Sequence, residues 1–174
     1  SYPMDWQAII DYIGSPAIFK DVRSGGRRFA HRVANVGELI QRYDESGTRT
    51  MILQQVIETN KQYHCVVIGR EKTILMPFSM ETNHYLGVDS HLEKNQAEKM
   101  TETALKIADV YGYDINMTEF ALLGEELYLI NATNPSPLVS RDLMTETQFD
   151  WLCNEIDDMA ARREANQTTM KFPV

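Results

Sequence analysis

Residues 112–137, GYDINMTEFALLGEELYLINATNPSP, constrain the fold of this chain more than any other stretch. Phe120 and Leu122 alternate with Glu119 and Ala121, the period-two pattern of a strand with one buried face. Gly124-Glu125-Glu126 reads as a hairpin turn, and Leu127-Tyr128-Leu129-Ile130 as the returning apolar strand. Asn134-Pro135-Ser136-Pro137 must end that strand, because proline has no N–H to give a ladder and restricts the residue before it. The hairpin therefore sets the carboxylate of Glu119 near two amides, Asn131 and Asn134. Oxygen ligands on adjacent strands suit a hard cation such as Mg²⁺, which usually bridges to phosphates rather than sitting in an all-protein cage.

Composition narrows the class. A chain of 174 residues, 43% apolar and 24% charged, suits one globular domain or two small lobes sharing a core. No apolar run approaches a membrane span and no basic-then-apolar leader opens the sequence, so a cytoplasmic protein with no membrane partner is expected. Cys65 and Cys153 lack any motif spacing and read as buried thiols. The net charge of −8 argues against a nucleic-acid partner, which would need clustered Lys and Arg. Residues 20–32, KDVRSGGRRFAHR, nevertheless hold five of the seventeen basic residues against one acid. Such a patch in an acidic protein suits a local anion, for example the phosphates of a nucleotide, or else a solvated loop.

Taken in order, the chain opens with an amphipathic helix carrying Trp6, Ile9, Ile10 and Ile13, capped by Asp5 and ended by Gly14-Ser15-Pro16. A short strand over 16–20 finishes on Lys20, Ser24-Gly25-Gly26 turns, and 28–33 returns as a strand. A helix over 36–43 puts Val36, Leu39, Ile40 and Tyr43 on one face, and 49–57 is an apolar strand. Two more strands, 62–70 and 72–79, join at Gly69-Arg70-Glu71, and 80–90 is a polar surface loop. A long helix over 91–111 buries Ala97, Met100, Ala104, Ile107, Ala108 and Tyr111 and stops at Gly112. After the hairpin, 142–163 holds a last helix. Its capping box is Thr145 with Gln148, and its stripe is Phe149, Leu152, Ile156 and Met159. Residues 164–174 read as a tail.

The run GYDIN-x-x-EFA … YLINATNPSP resembles the metal-binding hairpin of ATP-grasp enzymes, and more narrowly the glutathione-synthetase-like or RimK-type ligase-like bacterial branch. The upstream order of helix, strand, glycine turn, strand, helix, strand is similar to the smaller lobe of that superfamily. The resemblance implies an α+β, two-lobed ATP-grasp fold with a nucleotide cleft between two antiparallel sheets. The small lobe would be 1–58 and the large lobe 59–163. The sequence's abrupt opening at Ser1 gives the expectation of a piece cut from a longer protein, with an N-terminal substrate-side domain upstream.

The same resemblance assigns residues. Lys20, in PAIFK, stands where the family's strand-end lysine meets the nucleotide phosphates. Ser24-Gly25-Gly26-Arg27 is similar to the loop that folds over them, glycine letting backbone N–H groups approach. Gln54 and Gln55 look like the inter-lobe segment whose backbone, here at 55–57 and so including Ile57, reads the adenine edge; Glu58 is a candidate for the ribose hydroxyls. His64 falls where an arginine is common, and counts as a candidate nucleotide contact. Glu119, Asn131 and Asn134 are the candidate Mg²⁺ ligands; relatives generally carry an acid at the position of Asn131 or Ala132.

The implied function is the ATP- and Mg²⁺-binding domain of a carboxylate–amine (or thiol) ligase working through an acyl phosphate. No protein nucleophile is required, and no Ser–His–Asp or Cys–His arrangement is present to supply one. The alternative is a non-catalytic nucleotide-binding module with a degraded metal site. Expected partners are the nucleotide, a small carboxylate or peptide substrate and the upstream domain, with a homodimer left open.

Overall fold

The computed structural model describes residues 4–23, 29–89 and 91–169. The expected glycine loop, Ser24, Gly25, Gly26 and Arg27, lies outside the described residues. Among those described there are four helices and eight strands, and the chain divides into two compact units, Ser1–Glu58 and Thr59–Val174. No helix among them is long and apolar enough to cross a membrane.

The first unit pairs two helices with a three-stranded antiparallel sheet. Helix α1, Trp6–Ile13, starts where the Asp5 carboxylate accepts from the Ala8 N–H and ends at Gly14, whose N–H bonds the Ile10 carbonyl at 2.8 Å. Strands β1 (Ala17–Asp21) and β2 (Ala30–Val33) form an antiparallel pair, helix α2 covers Val36–Ser46, and β3 is Met51–Gln55. The strand order is β2-β1-β3. Asn35 caps α2 by accepting from the Glu38 N–H, while Glu38 reaches back to the Ala34 N–H. Ile10, Ala17, Phe19, Val33 and Leu39 form the core, all from one face of the sheet and the helices packed on it.

The strand bearing Lys20 runs one residue further than the sequence suggests, to Asp21, and β3 is shorter than expected, with 56–58 outside any strand. Helix α2 continues three residues past 43 because nothing in Asp44-Glu45-Ser46 breaks it. Tyr43 is exposed rather than buried, and its ring meets Trp6 edge-on at 4.7 Å.

The second unit is a five-stranded antiparallel sheet with helices on both faces. Its strands are β4 (Gln62–Ile68), β5 (Lys72–Ser79), β6 (His84–Tyr85), β7 (Ile115–Leu123) and β8 (Glu126–Asn131), in the order β6-β5-β4-β7-β8. Helix α3, Lys94–Tyr111, lays Met100, Ala104 and Ala108 against Tyr63, Cys65, Val67, Phe120 and Leu122. Helix α4, Glu146–Thr169, packs Phe149, Trp151, Leu152, Ile156 and Met159 over the opposite face, on Val66, Ile68, Met76 and Met117. Its start is the expected capping box: Gln148 Oε1 accepts from the Thr145 N–H, and Thr145 Oγ1 accepts from the Gln148 N–H.

Five expectations fail here. The long helix begins at Lys94 rather than His91, because Asp89 bonds the His91 N–H and holds a turn instead. Tyr111 lies exposed at that helix's end, stacked on Tyr113. Residues 80–90 contain β6, whose Tyr85 is buried against β5. Residues 164–169 continue α4 rather than forming a tail, since Ala161 to Ala165 are good helix formers with no proline until Pro173. Both cysteines are free; Cys65 is buried, its thiol pushed up to about 12 by burial, but Cys153 is exposed on α4.

Candidate nucleotide and metal site

The sheet register sorts the candidate residues of the first unit onto two faces. Directly paired residues of antiparallel strands share a face. Ile18 is paired with Arg32 and Gln54, and Lys20 with Ala30 and Ile52. These six therefore occupy the face opposite Ala17 and Phe19, the pair that α1 and α2 cover. Ala17 is paired with Gln55, which puts Gln55 on the helix side, near Gly14. Gln54 thus joins Lys20, and Gln55 does not.

Among the described residues of the first unit no helix packs on this second face, and it is chemically mixed. Ile18 is half-buried and Ile52 exposed, with Lys20 and Arg32 supplying positive charge around them. Glu58 comes back onto this face through an ion pair with Arg32, both side chains more than half exposed. Ile57 lies in the irregular segment after β3, where the strand ladder no longer engages its backbone. The sequence pattern missed Arg32, Ile18 and Ile52 as neighbours of Lys20. Alternation within PAIFK puts Ile18 beside Lys20, but the other two follow only from register.

In the second unit, Glu119 is the centre of a row across three strands. It lies opposite His64 on β4 and Asn131 on β8. Asn131 Nδ2 donates to Glu119 Oε1 at 3.1 Å, and His64 Nε2 stands 3.9 Å from Oε2. The Glu119 side chain keeps 20% exposure, against 4% for His64. A register shift between Glu119 and Phe120 sets Asn131 opposite Glu119 but Leu129 opposite Phe120, so β8 bulges at Ile130. The turn before it needs the left-handed backbone that Gly124 provides, φ +61°.

Asn134 is placed by its backbone. Its N–H donates to Asn116 Oδ1 at 2.9 Å, and its carbonyl accepts from the Met117 N–H at 2.9 Å. Asn116 is fully buried and also donates through Nδ2 to the Ala132 carbonyl, which the Thr118 hydroxyl bonds as well. Sequence reading passed over Asn116 and Thr118; two polar residues on the α3-facing register of an apolar strand were the available signal.

The donor set fits a hard cation of modest charge demand. It offers one partly reachable carboxylate, with the Asn131 amide beside it. Among the described residues no three His, Cys, Asp or Glu side chains converge on a metal-sized site. Mg²⁺ is commonly held by one or two carboxylates with substrate phosphates completing its shell, a pattern Glu119 can serve.

No protein-family model matches this chain, and no curated protein does. Solved structures do. D-alanine–D-alanine ligase from Bacillus anthracis, complexed with ATP, is similar at a TM-score of 0.72 and 11% identity, over 97% of this chain and 57% of that one. The biotin carboxylase–βγ-ATP complex from Campylobacter jejuni gives 0.67 and 22%, over 86% of this chain and 37% of that one. D-alanine–D-alanine ligase from Helicobacter pylori gives 0.62 and 16%, over 90% and 52%. This chain spans less than two thirds of the length of each of them. With its α+β composition and two antiparallel sheets, the chain has the ATP-grasp fold.

Proposed function

We propose that this chain is the ATP- and Mg²⁺-binding part of a carboxylate–amine (or thiol) ligase that works through an acyl phosphate. The observation that carries the reading is the helix-free sheet face of the first unit, where Ile18, Ile52, Lys20 and Gln54 come together within an ATP-grasp fold. An apolar centre flanked by cations and an amide suits a purine with its phosphates. Ile18 and Ile52 would take the base, Lys20 the phosphate charge, and the backbone at 55–57 the purine edge. Ser24, Gly25, Gly26 and Arg27 remain the proposed cover over the phosphates, and Glu58 the proposed ribose contact, which it would make in competition with Arg32.

The second unit would contribute Glu119, with Asn131 and Asn134, toward Mg²⁺. When bound, the metal would offset charge on the phosphate oxygens. The chain's own task is placement: phosphoryl transfer asks for aligned oxygens and charge neutralisation more than for a protein nucleophile. A substrate carboxylate oxygen takes the γ-phosphoryl group and ADP leaves. The amine or thiol then attacks the acyl carbon, inorganic phosphate leaves, and the nucleophile's proton passes to solvent. A small carboxylate or peptide, an upstream domain holding it, and a cytoplasmic setting complete the reading.

The pairing of one carboxylate, Glu119, with amides where relatives generally carry a second acid favours one alternative, a nucleotide-binding module without ligase activity. ATP-dependent phosphate release, screened with carboxylic acids and amines against the longer protein that includes any upstream domain, separates the two. Release that needs both an acid and an amine supports the ligase. Nucleotide binding with no release under any pairing supports the module.

A further inference from the structure

The chain that leaves β3 is held at both ends. Upstream, Gln55 is paired with the fully buried Ala17. Val56, Ile57 and Glu58 then run outside any strand, and Thr59 opens the second unit. Glu58 adds an ion pair with Arg32, but both side chains are more than half exposed and solvent screens it. The downstream end is fixed by the hydroxyl of Thr59.

Opposed residues at a hydrogen-bonded position of an antiparallel pair exchange two main-chain bonds. The ladder between β4 and β7 pairs Gln62 with Ala121, so the next rung joins Lys61 and Leu122. Half of that rung is ordinary: the Leu122 N–H donates to the Lys61 carbonyl at 2.9 Å. The return half passes through a side chain. Thr59 Oγ1 accepts from the Lys61 N–H at 3.1 Å and donates to the Leu122 carbonyl at 2.7 Å. The hydroxyl thus serves as donor and acceptor at once, and leaves both main-chain groups satisfied. It is spliced into the end of the ladder, which a residue without a hydroxyl could not be.

We propose that Thr59 is a positioning residue for base selection: its hydroxyl pins the chain to β7, Gln55 is pinned to β1, and only residues 56–58 run between the two anchors. Their backbone N–H and C=O groups are then presented in a fixed order. The adenine edge offers an amine donor beside a ring-nitrogen acceptor, whereas guanine offers a carbonyl acceptor beside a ring N–H. A backbone edge held rigidly for one sets like groups against the other, and a slack segment can turn to suit either. The use of this geometry for a purine rests on the function proposed above; the anchoring of Thr59 does not.

Two measurements on the full chain test it. Both compare Thr59→Val, which keeps the shape and removes the hydroxyl, with Thr59→Ser, which keeps the hydroxyl. The first is calorimetry with Mg·ATP, Mg·GTP and magnesium tripolyphosphate. The wild type should favour ATP over GTP. Thr59→Val should weaken ATP roughly fivefold to tenfold, the loss of about one hydrogen bond, and leave GTP and tripolyphosphate within about twofold. Thr59→Ser should restore the preference. An unchanged ratio of ATP to GTP affinity in Thr59→Val overturns the proposal, and so does an equal fall for all three ligands. The second is nitrogen relaxation of the backbone amides without ligand. Order parameters at Ile57 and Glu58 should lie near the rigid value of about 0.85 in the wild type and Thr59→Ser, and lower in Thr59→Val. Equal values in the wild type and Thr59→Val overturn the anchoring. If the wild type binds no nucleotide, base selection falls with the nucleotide reading, and the relaxation data decide the anchoring separately. Thr59→Ala replaces Thr59→Val if that variant does not fold, and the same outcomes apply.

Discussion

The backbone N–H of Asn134 hangs on the side-chain oxygen of Asn116, 2.9 Å away and fully buried on the neighbouring strand. With Asn116 Nδ2 and Thr118 Oγ1 both on the Ala132 carbonyl, two side chains of β7 fasten the segment that leaves β8. That segment has prolines at 135 and 137 and cannot extend the ladder itself, so side chains supply the partners that strand pairing would have given.

Asn116→Ala should therefore be costly. It strands the Asn134 N–H and one bond to the Ala132 carbonyl, and leaves a small void. A loss of about 2–4 kcal/mol is expected in urea unfolding, from the usual cost of leaving buried polar groups unpaired. Thr118→Val keeps the volume and removes one of two donors to the same carbonyl, so about 1 kcal/mol should be lost. Equal effects of the two variants would contradict the assignment of Asn116 as the principal fastener.

Asp114 ties the far end of the sheet to helix α4. Its carboxylate pairs with Arg163 and lies 3.6 Å from Arg70, and its carbonyl accepts from the Gly69 N–H. These groups are a third to a half exposed, so screening limits the pair to under about 1 kcal/mol. Asp114→Asn should hardly change global stability yet speed amide exchange in the turns of α4 around Arg163. Unaltered exchange there would show that the ion pairs do not restrain the helix.

Alkaline pH should destabilise the second unit. Burial raises the Cys65 thiol from 9.0 to about 12, and burial together with the Asp89 carboxylate raises the Tyr63 hydroxyl above its ordinary 10.0. For both groups the folded state holds its proton more tightly than the unfolded one. Their contribution is complete below pH 9 and is lost as pH rises, from 9 to about 12 for Cys65 and from 10 upward for Tyr63. Each can add a slope of up to about 1.4 kcal/mol per pH unit. Cys65→Ala should lower stability at neutral pH through lost packing, but flatten its decline between pH 9 and 10. A decline as steep as that of the wild type would remove Cys65 from the account.

How far the sequence carried these conclusions varies by element. Period-two alternation placed Phe120 and Leu122 together, and both pack under α3. The Thr145–Gln148 box, the Asp5 cap and the Gly112 stop were readable because each is a local rule acting within one turn. What was not readable depends on register. Gln54 and Gln55 are adjacent in sequence yet face opposite sides, and only pairing with Ile18 and Ala17 says which side is which. The bulge that brings Asn131 opposite Glu119 has no local signature, since Ile130 is an ordinary strand residue. Strand β6 is two residues long and is held by pairing with Phe78 and Ser79, which no local pattern encodes.

Lys20→Ala should separate binding from folding. Lys20 sits on the helix-free face, so the unliganded melting temperature should change little, while nucleotide affinity falls by roughly tenfold or more with loss of a charged phosphate contact worth about 1.5–3 kcal/mol. Thermal shift with and without saturating Mg·ATP checks this. A variant that melts much earlier without ligand would place Lys20 in the packing instead.

If Glu119 and its hairpin hold the metal that accompanies the nucleotide, as proposed, ATP affinity measured by calorimetry across a Mg²⁺ series will differ among the wild type, Glu119→Ala and Asn131→Asp. Asn131 now donates to Glu119, so an aspartate there sets two carboxylates face to face and should lower stability without metal. With Mg²⁺ the added charge, worth roughly 1–4 kcal/mol at ~4 Å in a partly solvated site, should tighten ATP binding by an order of magnitude or more. The expected result is Mg²⁺-dependent binding that Glu119→Ala nearly abolishes and Asn131→Asp strengthens. Binding indifferent to Mg²⁺, or equal in all three proteins, would contradict it.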